Sequence, residues 1–248
     1  MKHYASLIAL PVLLALGACG GDADSEGAAA TSGEPIAEIA APAGQNWAET
    51  VTKTGDGYYV LGNPQAPIKL VEYASLTCPA CANFAETAFA TIRDKYVASG
   101  RVSFEMRNFV REPMDLTASL LTRCGSEATY FALTEEVMAN QEAMFTKAQA
   151  MGEERYGQVL AMPDGQRYVA LAEAVGLTDF FAQRGVSRDQ ANQCLSDVGA
   201  ARALADNTGK ASRDEGIQGT PTFFINGRQI DYSGWPALEA ELQKMGAR

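Results

Sequence analysis

Apolar positions along this chain recur in blocks that predict their own elements. Tyr58-Tyr59-Val60-Leu61 is a short apolar run closed by Gly62-Asn63-Pro64, the mark of a strand followed by a turn. Ile68-Lys69-Leu70-Val71-Glu72-Tyr73 predicts a second strand. From Pro79 to about Ser99 the period changes. Cys81, Phe84, Ala85, Ala88, Phe89, Ile92 and Tyr96 recur at steps of three and four, which places them on one face of a helix that Gly100 stops. Val102 to Val110 alternates as a third strand.

Residues 113 to about 215 predict mostly helix. Leu116, Leu120, Leu121 and Cys124 share one face, and Phe131, Val137, Met138 and Phe145 fall in a second segment. Further helices are expected around 165–176, 178–184 and 187–215. Thr222 to Ile225 and Gln229 to Asp231 then flank Asn226-Gly227, a hairpin signal because both central positions of a type I′ turn need positive φ. A final amphipathic helix carries Leu238, Leu242 and Met245. This order suits a single α/β sheet interrupted by one helical insertion, about 112–215, better than two independent domains.

The first residues follow other rules. Lys2 and His3 precede an apolar run from Leu7 to Leu16 that is too short to span a bilayer, and Gly17-Ala18-Cys19 follows. A positive start, an apolar middle and small residues at the end read as a secretory signal, residues 1–18. Leu16-Gly17-Ala18-Cys19 resembles the bacterial lipoprotein box, which implies that Cys19 carries the lipid of a membrane anchor. The other reading is an ordinary signal cleaved nearby, with Cys19 a spare thiol. Residues 19–45 are rich in Gly, Ala, Ser and Pro and are expected to form a flexible tether reaching about 25–30 Å, with the folded part, 46–248, beginning near Asn46. Gly20 after Cys19 lacks the aspartate that often marks inner-membrane retention, which points to the outer membrane.

The whole chain has 20 basic and 30 acidic side chains. Loss of the signal removes Lys2 and also His3, the one histidine of the chain. Such acidity argues against nucleic acid, whose phosphates demand clustered Lys and Arg. Without histidine, Cys–His and Ser–His–Asp catalysis are excluded and the commonest metal ligand is missing. No metal and no cofactor is expected.

Against that background one motif carries the chemistry. Cys78-Pro79-Ala80-Cys81 stands where a strand gives way to a helix. Pro79 suits the first helical position, where a missing N–H does no harm. Cys78 then meets the free amides and positive end of the helix, which stabilise a thiolate. Such positions lower a thiol from about 8.5 to roughly 3.5–7.5. Cys81 lies one turn inward on the apolar face and keeps its proton. An exposed reactive sulfur and a buried partner make a redox pair. The competing readings are a structural disulfide and a zinc site, the latter short of ligands because neither Cys124 nor Cys194 has a close partner cysteine. Glu72, six residues before Cys78 on a strand, is expected under the site, where burial raises a carboxyl and lets it exchange a proton with Cys81. The bland alternative is a solvated glutamate at a sheet edge. Pro221 in Gly219-Thr220-Pro221-Thr222 cannot sit inside a sheet, and a cis bond is one use for it.

Taken together, the strand with Glu72, the Cys-Pro-Ala-Cys motif, the helical block and Gly-Thr-Pro-Thr-Phe-Phe-Ile-Asn-Gly resemble the bacterial DsbA-like family of the thioredoxin superfamily over about residues 55–248. The resemblance implies a thioredoxin-like fold with a large helical insertion. It makes Cys78 the nucleophile, Cys81 its partner, Glu72 the buried acid, and Pro221 a cis-proline whose neighbour Thr220 aligns the substrate. Cys124 and Cys194 resemble the second cysteine pair of alphaproteobacterial members. As a disulfide they would close a loop of about 71 residues, worth roughly 4 kcal/mol on the chain-entropy account; two separate buried thiols are the other reading. Ala80 stands where the best-known oxidases carry histidine, which should leave Cys78 less acidic and its disulfide less oxidising.

The expected function is oxidation of cysteine pairs in unfolded or partly folded exported proteins of the periplasm. The resemblance implies a quinone-linked membrane partner that resets the enzyme, and a monomer. A reductase or isomerase on the same fold is the nearest alternative, although isomerases of this kind resemble dimers with a separate N-terminal domain for which about 30 residues leave no room. A non-catalytic thioredoxin-like chaperone, or a copper-delivery factor, is the reading from a different class.

Overall fold

The computed structural model describes residues 33–248, so the expected signal and Cys19 lie outside the described residues. Six strands form one sheet: β1 (Val51–Lys53), β2 (Tyr59–Gly62), β3 (Ile68–Ala74), β4 (Val102–Asn108), β5 (Thr222–Ile225) and β6 (Arg228–Ile230). Their spatial order is β1-β2-β4-β3-β5-β6. β3 and β4 run parallel, with Glu72 opposite Met106, and β5 runs antiparallel to β3, with Phe223 opposite Glu72. Parallel neighbours need a crossover, and α1 (Pro79–Phe84) provides it. It continues through π-helical turns at Ala85–Phe89 and Ile92–Val97. Phe84, Ala88, Phe89, Ile92 and Tyr96 of this helix are buried in the main core.

β3 is buried on both faces, as the centre of such a sheet must be. Leu70 and Ala74 face the core under α1, whereas Val71 and Tyr73 pack with Ala211 and Ile217 on the opposite side. Between β4 and β5 lie seven helices: α2 (Pro113–Thr122), α3 (Tyr130–Ala139), α4 (Gln141–Leu160), α5 (Asp164–Ala174), α6 (Leu177–Ala182), α7 (Arg188–Leu195) and α8 (Val198–Asp214). α2 is enclosed from Met114 to Thr122 and forms the centre of this block. The last helix is α9 (Trp235–Lys244). Among the described residues no helix is long and apolar enough to cross a membrane.

Several boundaries differ from the sequence expectation for local reasons. The tether expected through residue 45 is already docked at residue 33. Gly33 N–H donates to Lys244 O at 2.7 Å, Ile36 N–H to Gly246 O at 2.9 Å and Ile39 N–H to Ser99 O at 2.9 Å. Arg101 Nε adds a bond to Ile36 O at 2.7 Å. These are backbone contacts, and small residues without apolar periodicity do not advertise them. Gly100, at φ 70°, both ends the preceding helix and makes room, since a Cβ there would collide with Ile39 O. The segment expected as one helix from 187 to 215 is two, because Asp197 caps a new start by accepting from Ala200 N–H. β1 carried no expectation. Val51 and Thr52 are half-buried and Lys53 is exposed, too short a run for alternation to register. The hairpin falls on Asn226 (φ 50°) and Gly227 (φ 79°), and the Asn226 carboxamide also ties the turn to Lys69 N–H at 2.8 Å.

Cys124, just beyond α2, is joined to Cys194 of α7, with Cα atoms 5.9 Å apart and a separation of 70 positions in sequence. Closing that loop restricts the unfolded chain, so Cys124→Ser/Cys194→Ser is expected to lose about 4 kcal/mol of unfolding free energy. Denaturant unfolding measures it, and an unchanged midpoint and slope would count against the disulfide's role as a staple.

Candidate active site

The reactive segment is held from both sides before it reaches its cysteines. β3 ends at Ala74 and the chain turns through Ser75, Leu76 and Thr77, all buried. Asp115, in the first turn of α2, accepts from Leu76 N–H through Oδ1 at 2.9 Å and from Arg111 N–H through Oδ2 at 2.9 Å. Its burial raises the carboxyl to about 6, against the hydrogen bonds that favour its charged form. Gln141, opening α4, donates through Nε2 to Leu76 O at 2.9 Å and Cys78 O at 3.2 Å. Two side chains of the insertion therefore clamp the loop that presents Cys78. Nothing in the sequence marked them: an acid in a first helical turn is ordinary, and a lone glutamine carries no motif.

Cys78 is the N-cap of α1, at φ −91° and ψ 117°, and Pro79 takes the first helical position. Its sulfur is 3.3 Å from Thr220 O. Only 5% of the residue is exposed, less than expected, because the Thr220–Pro221 segment covers it. The Cys78 thiol is pulled down to about 5. A hydrogen bond from Cys81 contributes most, Thr220 and the N–H groups of Cys81 and Ala80 add to it, and burial opposes. Those donors stabilise the anion with no imidazole beside it. Cys81 is fully enclosed and its thiol is pushed far up, first by its hydrogen bond to Cys78, then by burial and by the Glu72 carboxylate. The two sulfurs, both free thiols here, are driven apart in acidity by their positions on one helical turn.

Glu72 lies beneath them on the α1 side of β3, 3% exposed. Its Oε1 has no hydrogen-bond partner. Burial raises the carboxyl to about 8, with the Cys78 thiolate adding to the rise. A cavity of about 20 Å³ adjoins it, walled by Phe89, Phe104, Phe131 and Thr134 among others, and a space of that size admits one water. Thr134 Oγ1, also buried, is likewise unpartnered. The Thr220–Pro221 bond is cis and leads directly into β5. Cys78, Cys81, Glu72, Thr220 and Pro221 are thus brought together, whereas the Cys124–Cys194 pair belongs to the insertion's own packing. Among the described residues no group of three or more potential ligands is placed to hold a metal.

Two measurements check this electrostatic arrangement. Alkylation of the reduced protein at Cys78 is expected to rise with pH through about 5 and to be flat by neutrality; a midpoint above 8, as for a free thiol, would refute it. For Glu72 the native carboxyl holds a proton that the unfolded chain, near 4.5, has lost, so stability falls as pH rises from about 4.5 to about 8. Glu72→Gln should therefore gain stability over wild type across that window and match it near pH 4. A difference independent of pH would place the carboxylate in solvent.

Comparison with known proteins agrees with this geometry. The thioredoxin family model matches residues 54–244. A protein-disulfide isomerase of Novosphingobium aromaticivorans, known from its crystal structure, superposes with a TM-score of 0.71 at 32% identity, covering 76% of this chain and 97% of that one. The crystal structure of Wolbachia pipientis alpha-DsbA1 gives 0.54 at 26% identity, covering 71% and 77%. A Rickettsia bellii protein named for protein-disulfide oxidoreductase activity is 28% identical over 192 residues, 77% of this chain. The chain spans 66% of that relative's length and 56% of its Rickettsia conorii counterpart. The matched span covers most of the chain, so the chain belongs to the thioredoxin family, and it is similar to the DsbA-like thiol–disulfide oxidoreductases.

Proposed function

We propose that this protein catalyses thiol–disulfide exchange through Cys78 and Cys81, and that it works as an oxidase of cysteine pairs in exported proteins. The observation that carries the reading is the opposed acidity of the two sulfurs: Cys78 lowered to about 5, Cys81 raised. In the disulfide form, a substrate thiolate attacks Cys78 and forms a mixed disulfide. The Cys78–Cys81 bond breaks, and Cys81 leaves with the electron pair. It is a poor anion in its enclosed position, and Glu72 is the group within the site that can supply its proton. A second substrate thiolate then attacks the substrate's own sulfur in the mixed disulfide. Cys78 departs as a stabilised thiolate, the substrate gains a disulfide, and the protein is left with two thiols.

A leaving thiolate stabilised in this way favours the reduced protein and makes the disulfide oxidising. The cycle then needs an electron acceptor, for which a quinone-linked membrane protein is the proposed partner. Cysteine-bearing proteins in the periplasm are the proposed substrates, with the protein held there by a lipid on Cys19 and acting as a monomer. Thr220 and Pro221, beside the Cys78 sulfur, are proposed to align the substrate strand.

Isomerisation is the second reading, supported by the isomerase description of the Novosphingobium aromaticivorans neighbour. It passes through the same kind of mixed disulfide at Cys78 but forms it in the opposite sense, the Cys78 thiolate of the reduced protein attacking a wrong disulfide. Cys78→Ser should abolish transfer to dithiol peptides, and substantial residual transfer would refute the mechanism. The potential of the 78–81 couple is expected above about −200 mV, on a scale where thioredoxin lies near −270 mV. A value near the latter, with efficient rescue of a scrambled disulfide substrate, would favour the isomerase or reductase reading.

A further inference from the structure

Thr220 and Pro221 cover one flank of Cys78. On the other flank the redox helix borders a groove of about 700 Å³ between α1 and the first part of the helical insertion. It begins at Pro79, the residue after the reactive cysteine, and Gln141, whose amide holds Cys78 O, forms part of its wall. Ala82, Ala85, Ala132, Met138 and Ala139 line it. Small side chains here leave space for a chain to lie against, and Ala132 and Ala139 are exposed on its surface.

The charged groups of the groove share one sign. Glu86, Glu135, Glu136 and Glu142 all line it, and no Lys or Arg does. Glu135 is within 3.7 Å of Arg93 and Glu136 within 2.9 Å of Arg184, so those two charges are partly answered from outside the groove. Glu86 and Glu142 are exposed and stand in no ion pair among the described residues. One acid comes from the redox helix and the other from α4, so the pair faces the groove from both of the units that build it. Apolar contact with unanswered negative charge is complementary to an extended segment of small apolar and basic residues.

We propose that this groove binds the substrate chain next to the cysteine being oxidised, and that Glu86 and Glu142 select substrates whose reactive cysteine has Lys or Arg within a few residues. The inference rests on the exchange reading above and names the substrates that it prefers. The occupant is an unfolded protein segment, held while its sulfur is bonded to Cys78. Binding there raises the rate of mixed-disulfide formation by keeping the segment close and by steering its approach. The effect is electrostatic, so salt weakens it.

The test compares three single-cysteine peptides of equal length, flanked by Lys, Gln or Glu among alanines, reacting with the oxidised full-length protein. At low ionic strength the Lys peptide is expected to react about fivefold faster than the Gln peptide, the size of one or two exposed charge pairs, and the Glu peptide slower. The ratio should fall toward one near 1 M salt. In E86Q/E142Q the Lys-to-Gln ratio should approach one at low salt as well, and in E86K/E142K the Glu peptide should become the faster. Because the whole chain is acidic, D189N/D206N serves as an equal change of net charge outside the groove and should keep the wild-type ratio. Equal rates for all three peptides would overturn the proposal. So would a preference that survives in E86Q/E142Q, or one that D189N/D206N loses equally. Each single variant, checked for a native unfolding midpoint, repeats the reading should a double variant fail to fold. Transfer to none of the peptides would overturn the exchange reading itself, a result distinct from transfer without preference.

Discussion

The difference in acidity between two sulfurs on one turn of helix is the constraint on which the rest of the molecule depends. Cys78 occupies the N-cap, where the amides of Ala80 and Cys81 are free of intrahelical partners and point at it. Cys81 is a turn further in, with hydrocarbon around it and a carboxyl below. Exchanging their places would exchange their chemistry. Neither side chain is unusual. The helix makes one a good leaving group and the other a poor one.

The helix could not hold that difference alone. An N-terminal turn that frays loses the alignment of its amides, so the loop before Cys78 has to be fixed. Asp115 and Gln141 fix it, one through Leu76 N–H and the other through the carbonyls of Leu76 and Cys78. Both belong to the helical insertion, which therefore does more than enlarge the protein. Burying Asp115 is unfavourable for its charge, as its raised titration shows, and that cost is offset by hydrogen bonds to backbone groups that would otherwise be orphaned. The staple between Cys124 and Cys194 lies in the same block, between the end of α2 and α7, and limits how far α2 can move.

Glu72 presents the opposite compromise. It has few hydrogen bonds to offset its burial, and it lies under the redox pair on the central strand. A carboxyl so placed is retained at a cost to stability. The groove beside α1 continues the same division of labour. The thioredoxin-type sheet supports the sulfurs, while the insertion supplies the clamp behind them and the acidic wall beside them.

Much of this was legible in the order of residues, because the deciding interactions are local. The Cys-Pro-Ala-Cys spacing places both sulfurs within one turn, proline marks the helix start, and Asn226-Gly227 sets its hairpin. The apolar periods of β3 and α1 identify the buried faces, and with the motifs they pointed to the thioredoxin family. What remained hidden depends on contacts between residues distant in the chain. Gly33 to Ile39 looked like tether because nothing in its composition reports hydrogen bonds to Ser99, Lys244 and Gly246. Asp115 and Gln141 looked ordinary because their importance lies in reaching Leu76, 39 and 65 residues away. The exposure expected for Cys78 was reduced by Thr220, 142 residues away in sequence. Periodicity and capping are set by neighbours within a few residues, and the chain carries them openly. Burial of a carboxyl, cover over a sulfur and the walls of a groove are set by which elements meet, and only the tertiary structure decides that.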